Sequence, residues 1–304
     1  MTAGRLRLAV FLAAAFFAGC GRAPEKNTLT GRAGETITLP KAIDTIISTA
    51  PSNSEIIVGL GLGGKIIAAD EFSAALDGIN KGITLIDFSY PDGETIITLN
   101  PDIIIAAEHN RTVSGEDPFR LVGEAGIPVV YIPTSDSIEG IYGDIRFIAG
   151  LLGAEEQGEA LVAGMKAEID AVARKSAGIT ERKSVYLELS PPPYLVSLGR
   201  KTYLHEMAEL IGADNIFAGE EGWFSPSAEA VISRNPDVII TFLEDIDTFT
   251  ADVKARPGFE HVGAVLNNRV FRIDANSASR PSQNIILALK QMARAVYPDI
   301  YDAP

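Results

Sequence analysis

One cysteine, Cys20, stands in a chain of 304 residues, so no intrachain disulfide can form and no cluster of cysteine ligands is available. The three histidines, His109, His205 and His261, lie far apart in sequence, which speaks against a bare zinc or manganese site. No Gly-x-Ser-x-Gly turn and no closely spaced histidines supply a nucleophile with its base, so no catalytic residue is assigned. Basic residues are scarce, 26 Lys and Arg against 40 Asp and Glu, and the net charge is −14. Phosphate backbones need a basic face, so nucleic acid is not an expected partner. Long apolar runs are missing as well: the stretch from Leu8 to Ala18 falls short of the roughly 20 residues that cross a bilayer.

What that stretch does resemble is an export signal. Arg5 and Arg7 precede it and Ala18-Gly19-Cys20 ends it. A small-small-Cys ending of this kind resembles the lipobox of bacterial lipoproteins, although Phe17 stands where that motif usually has Leu. The resemblance implies a signal peptide over 1–19, a diacylated Cys20 as mature N-terminus, and an extracytoplasmic chain held at the membrane. An ordinary cleaved signal beside a free thiol is the alternative. Cleavage before Cys20 would leave 24 basic against 40 acidic residues, a net −16. The polar, glycine-bearing segment that follows predicts a flexible tether over 20–39.

The content that is present points to two cores. Hydrophobic residues make up 46% of the chain, enough for two lobes of ordinary size. Leu161, Met165, Ile169 and Val172 recur at helical spacing between Ala154 and Lys175, opposite Glu155, Glu159, Lys166, Asp170 and Arg174. That pattern predicts one long helix. On either side of it the same arrangement is written twice. Phe88 precedes Glu94 by six residues and Asn100-Pro101-Asp102 follows; Trp223 precedes Glu229 by six and Asn235-Pro236-Asp237 follows, each leading into an apolar run.

In both halves apolar strand-like runs alternate with helical stretches, which predicts parallel sheets covered by helices. Strands are expected near 43–48, 65–69, 84–87, 102–107 and 129–132, and again near 184–189, 238–242 and 270–273. Ser52, Asn53 and Ser54 offer N-caps for a short helix over 55–60, and further helices over 138–152 and 281–296 complete the plan. The fold class is therefore α/β, two Rossmann-like lobes joined by a single long helix with a ligand cleft between them. Loops at 50–54, 70–73, 108–112, 190–194 and 275–280 are expected at that cleft, beyond the strand carboxyl ends. Gly59, Gly61 and Gly64 satisfy Gly-x-Gly-x-x-Gly, but they follow a helix and precede a strand. Phosphate loops need the opposite order, so a nucleotide site is set aside.

The segments 50–73, 94–106, 125–132, 208–217, 223–240 and 279–299, taken in order with the connecting helix, resemble the iron-chelate and cobalamin class of periplasmic substrate-binding proteins of ABC importers (class III). The resemblance runs from about Ile43 to Asp299. It implies lobes over 40–136 and 178–304 bridged by a helical segment over 137–177, with little closure on binding. It implies a monomer that carries a transported chelate and no cofactor, and that delivers it to a permease dimer with its ATPase. It also implies that Glu94 and Glu229 dock into arginine pockets of the permease; a plain preference for acidic residues in a first helical turn is the other reading. Phe72, Phe88, Tyr194 and Trp223 match cleft walls of the cobalamin binders, and Arg280 matches the start of the last helical segment, where Gln283 and Asn284 replace a frequent Pro-Arg. Cobalamin is the favoured ligand. A ferric siderophore or haem is the alternative, with Tyr194 or Tyr203 open as a haem ligand, and an enzyme acting on the chelate is the remote one.

Overall fold

The computed structural model describes residues 27–32, 34, 36–112, 117–242 and 246–302. The expected signal segment 1–19 and Cys20 lie outside the described residues. An antiparallel hairpin, β1 (Asn27–Thr30) and β2 (Thr36–Leu39), leads in. The first lobe then runs β3 (Ile46–Ser48), α1 (Pro51–Gly59), β4 (Ile66–Ala69), α2 (Glu71–Ala74), β5 (Thr84–Leu85), α3 (Gly93–Leu99), β6 (Ile103–Ala107), α4 (His109–Thr112), α5 (Arg120–Glu124) and β7 (Val129–Ile132). Two helices follow, α6 (Ile138–Leu151) and α7 (Glu155–Ser176). The second lobe begins with β8 (Ser184–Glu188), β9 (Ser197–Leu198), α8 (Tyr203–Leu210), β10 (Asp214–Asn215), β11 (Trp223–Phe224) and α9 (Ala228–Arg234). It ends with β12 (Val238–Thr241), α10 (Ile246–Ala255), α11 (Gly263–Leu266), β13 (Val270–Arg272), α12 (Ala275–Ser279), α13 (Ile285–Val296) and α14 (Pro298–Tyr301).

Each lobe is built on a parallel sheet, ordered β5-β4-β3-β6-β7 in the first and β10-β8-β12-β13 in the second. Both faces of each sheet are covered, which is why the strands read as unbroken apolar runs. Alternation within a strand decides which core a residue joins. Ile103 and Ile105 of β6, Val185 and Leu187 of β8, and Val238 and Ile240 of β12 point into one core that also takes α6, α7, α8 and α13. Ile104 and Ala106 enter a separate cluster behind the first sheet, and Tyr186 and Ile239 enter one behind the second. The lobes therefore share one continuous apolar core and are not independent bodies.

The duplicated sequence has a local physical cause. Asn100 and Asn235 cap the C-termini of α3 and α9 in the left-handed region, at φ 48° and 45°, a conformation that Asn tolerates better than other residues with a side chain. Asp102 Oδ2 then accepts from the N–H groups of Asp44 and Thr45 at 2.8 and 2.9 Å, and Asp237 Oδ2 from that of Ser184 at 2.8 Å. In each lobe the Asn-Pro-Asp thus stops a helix and clamps the start of one central strand to its neighbour.

The connecting helix α7 has 22 residues and spans about 33 Å at roughly 1.5 Å per residue. Met165, Ile169 and Val172 are buried as the periodicity requires, with Gly158 and Val162 completing the stripe; Leu161 lies at its edge. Gly158 lets α7 approach α6: a Cβ there would fall 2.5 Å from that of Ala149.

Three expectations are corrected. The segment 20–39 is not a flexible tether throughout, because its latter half is the β1–β2 hairpin. Ile37 of that hairpin joins the main core, and Arg32 Nη2 lies 2.8 Å from Asp144 Oδ1. Ser52, Asn53 and Ser54 are not caps: Pro51, pre-set at helical φ and needing no N–H partner, opens α1, and Asn53 and Ser54 are buried inside it. The last long helix begins at Ile285, not Pro281, because residues 280–284 are tied to α1 instead.

Candidate functional site

Between the lobes, at the carboxyl ends of β3, β4 and β6, lies a hollow of about 380 Å³ lined by Pro51, Ser52, Asn53, Phe72, His109 and Arg280 among others. A second hollow of about 420 Å³ shares Phe72, Asn276 and Arg280 with it. Together they form an open cleft in the size range of small-molecule sites. The strand ends explain its position, since the turn after each parallel strand faces the same edge of the sheet.

Phe72 is placed by the turn that precedes it. Asp70, 1% exposed at the end of β4, caps α2 by accepting from the N–H groups of Phe72 and Ser73, both at 2.9 Å. Ser54 Oγ sits between the hydroxyls of Ser48 and Ser73, at 2.7 and 2.8 Å, and Ser73 Oγ hydrogen-bonds Asp70 Oδ2. This buried polar chain fixes the backbone while the Phe72 ring stays 53% exposed at the cleft.

Arg280 enters from the second lobe. Its segment is fixed by Tyr203, whose hydroxyl donates to the Ala278 carbonyl at 2.7 Å, and by Asp274, which caps α12 through the Ser277 N–H at 2.7 Å. Tyr203 is 3% exposed and its hydroxyl is already used, which rules it out as a haem ligand. Arg280 Nη1 donates to Glu55 Oε1 at 3.0 Å, across the lobe boundary. Glu55 also accepts from Ser282 Oγ at 2.5 Å and Asn284 Nδ2 at 3.0 Å, while Gln283 Nε2 donates to the Glu55 carbonyl at 2.8 Å. Gly59 makes room for that approach: a Cβ there would lie 2.9 Å from Gln283 Nε2.

Asp144, 2% exposed, also lines the hollow. Burial pushes its pKa up, against the lowering effects of the Ser135 hydroxyl and Arg32. His109 stands edge-on to Phe88, ring centroids 6.4 Å apart and planes at 88°, and desolvation holds its pKa below the ordinary value.

The structure thus brings Phe72 and Arg280 together, with His109 beside them. Phe88 touches this group through His109 and does not itself line either hollow. Tyr194, 79% exposed, and Trp223, 50% exposed, also lie outside both linings. Tyr194 sits in a loop beyond the end of β8, closed by a bridge between Ser190 and Val196; Trp223 pairs with Leu198 in the β9–β11 ribbon. The two aromatics of the duplicated pattern are therefore in different settings, a loop and a ribbon strand. Glu94 and Glu229 are equivalent: each is exposed and second in its helix, after the caps Asp92 and Ser227. Bonds to its own N–H and to Ser227 hold the Glu229 carboxyl below its ordinary pKa.

Sequence reasoning missed Glu55, Asn53 and Asp144. Glu55 reads as one more helix residue, and its partners are more than 220 positions away. Glu188, at the carboxyl end of β8, is fully buried and held by Arg256 at 2.7 and 2.9 Å, a structural pair behind the second sheet.

The profile of the periplasmic binding protein family matches residues 46–277. An uncharacterized ABC transporter substrate-binding lipoprotein of Bacillus subtilis, YvrC, is 30% identical over 96% of both chains. A vitamin B12-binding protein of Vibrio campbellii is 26% identical over 81% of this chain and 87% of its own. A solved structure from Staphylococcus epidermidis, described as a possible iron-binding (periplasmic solute-binding) protein, superposes with a TM-score of 0.78 at 30% identity, covering 84% of this chain and all of that one. Members of this group carry a transported ligand rather than a cofactor and are not enzymes. The chain belongs to the periplasmic binding protein family, as a substrate-binding protein of an ABC transporter.

Proposed function

We propose that this protein captures a metal chelate, cobalamin first among the candidates, and delivers it to an ABC permease and its ATPase from a lipid anchor at Cys20. The observation that carries the reading is the pairing of exposed Phe72 with half-fixed Arg280 at one open cleft. A large chelate with an apolar face and polar rim meets both kinds of surface there. Phe88, Tyr194 and Trp223 extend the aromatic wall as the chelate grows beyond the inner hollow. The relatives named as vitamin B12-binding proteins and the one named a lipoprotein support the ligand and the anchor respectively.

Glu94 and Glu229 are assigned to permease docking. Their support is geometric equivalence, one exposed carboxylate on each lobe at the start of the same kind of helix, suited to charge-assisted contacts with arginine. The shared core of the two lobes supports small closure on binding; delivery as a monomer belongs to the same proposal. A ferric siderophore or haem is the second reading, favoured by the solved relative described as iron-binding.

Equilibrium dialysis against cyanocobalamin, ferric siderophores and haemin tests the proposal, with the fluorescence of Trp223, the single tryptophan, followed in parallel. Saturable one-to-one binding of one compound is expected. No retention of any of the three classes would refute a chelate ligand.

A further inference from the structure

The inner end of the cleft carries donors that the protein does not use. Helix α1 has nine residues; its N-cap is Ala50 and makes no side-chain cap bond. The leading N–H groups of a helix have no acceptor within the helix and bear partial positive charge. Here those groups belong to Ser52 and Asn53, because Pro51 has none, and both residues line the hollow.

An independent observation sits at the same place. Asn53 is 2% exposed and its Nδ2 has no hydrogen-bond partner among the described residues. A buried amide left unmatched in this way costs about 1–3 kcal/mol, so its retention calls for an acceptor. Arg280 reaches the same hollow and spends only Nη1 on Glu55. The acidic groups nearby face positive or donating partners, Glu55 through Arg280, Ser282 and Asn284, and Asp144 through the Ser135 hydroxyl on Oδ2 and the Arg32 guanidinium 2.8 Å from Oδ1.

We infer that this end of the cleft is a subsite for an anionic oxygen, a carboxylate or phosphate group, received by the N-terminus of α1, the Asn53 amide and Arg280. The inference deepens the reading above, since the oxygen would belong to a substituent of the transported chelate. It assigns the two walls different duties: Phe72 meets the apolar body and the α1 end orients the charged arm. Asn53 and the α1 amides act by donating hydrogen bonds, which strengthen in a water-poor pocket.

The experiment uses the unmodified chain, labelled with ¹⁵N and titrated separately with phosphate and with acetate at constant ionic strength. The Ser52 and Asn53 backbone amides and the Asn53 side-chain NH₂ should shift saturably, and the anion acting at lower concentration names the preferred group. Asn53→Asp, which sets a carboxylate in place of the amide, should weaken that response by about tenfold or more, and Asn53→Ala, which removes the donor without burying a charge, should weaken it as well. Haemin, with free carboxylates, should bind more tightly than its dimethyl ester, and either variant should erase the difference. Resonances that stay still up to about 50 mM of both anions, far above a millimolar Kd, would overturn the subsite. If the resonances respond but no chelate is retained, the chelate reading falls and the subsite stands; chelate retention with still resonances refutes the subsite alone.

Discussion

Glu55 is the residue whose loss should be felt most. Glu55→Ala removes at once the acceptor of Arg280 Nη1, Ser282 Oγ and Asn284 Nδ2, at 3.0, 2.5 and 3.0 Å. The pair is buried, with side chains 4% exposed for Glu55 and 14% for Arg280. Taking one partner from a buried ion pair costs about 3–5 kcal/mol, chiefly because the other charge is left unmatched. Arg280 borders an open cleft and its freed guanidinium can turn towards water, so the lower end of that range, about 3 kcal/mol, applies here. At roughly 2.1 cal/mol/K of unfolding entropy per residue, a chain of this size has about 0.6 kcal/mol/K, and Tm should fall by about 5 °C. Thermal melts and urea midpoints of the wild type, Glu55→Ala, Arg280→Leu and the double variant Glu55→Leu/Arg280→Leu make the assay. The double variant should recover most of the loss, because two apolar side chains leave no buried charge behind. A fall in Tm under about 1 °C, or a double variant no better than the worse single one, would refute a structural latch between the lobes.

Glu94→Ala combined with Glu229→Ala should abolish uptake in cells while leaving chelate affinity in dialysis unchanged; normal transport by the double variant would remove both residues from docking. Trp223→Ala should weaken chelate binding by about 2 kcal/mol, roughly thirtyfold, if its half-exposed ring meets the ligand. An unchanged affinity would leave Trp223 a ribbon residue only. Desolvation lowers the pKa of His109 from 6.5, so the neutral imidazole is the form the fold prefers. Its contribution to stability is present above pH 6.5 and is lost as pH falls through the lowered folded value. The stability advantage of wild type over His109→Gln should therefore shrink on acidification below 6.5, and urea midpoints that run parallel across that range would contradict the assignment.

Much of this architecture is written locally. The stripe of α7 appears in the sequence within one residue of where the helix runs, because burial along one side of a helix imposes its period on the residues. The strands of both sheets read as unbroken apolar runs because both of their faces are covered. The duplicated Asn-Pro-Asp is legible for the same reason: a left-handed cap and a strand clamp each act over a few positions and demand particular residue types. Glu94 and Glu229 follow from that duplication.

The sequence by itself determined the α/β class, the two sheets, the long connecting helix and the matched pair of acidic helix starts. Tertiary structure alone decided which residues meet at the cleft. Glu55 finds Arg280 across 225 positions, Arg32 of the leading hairpin finds Asp144, and Phe88 and Trp223 part company despite identical spacing from their glutamates. Periodicity records which face of an element is buried and carries no record of the distant segment that covers it. The pairing of charges and the spare amide of Asn53 therefore became visible only once the lobes were packed on their common core.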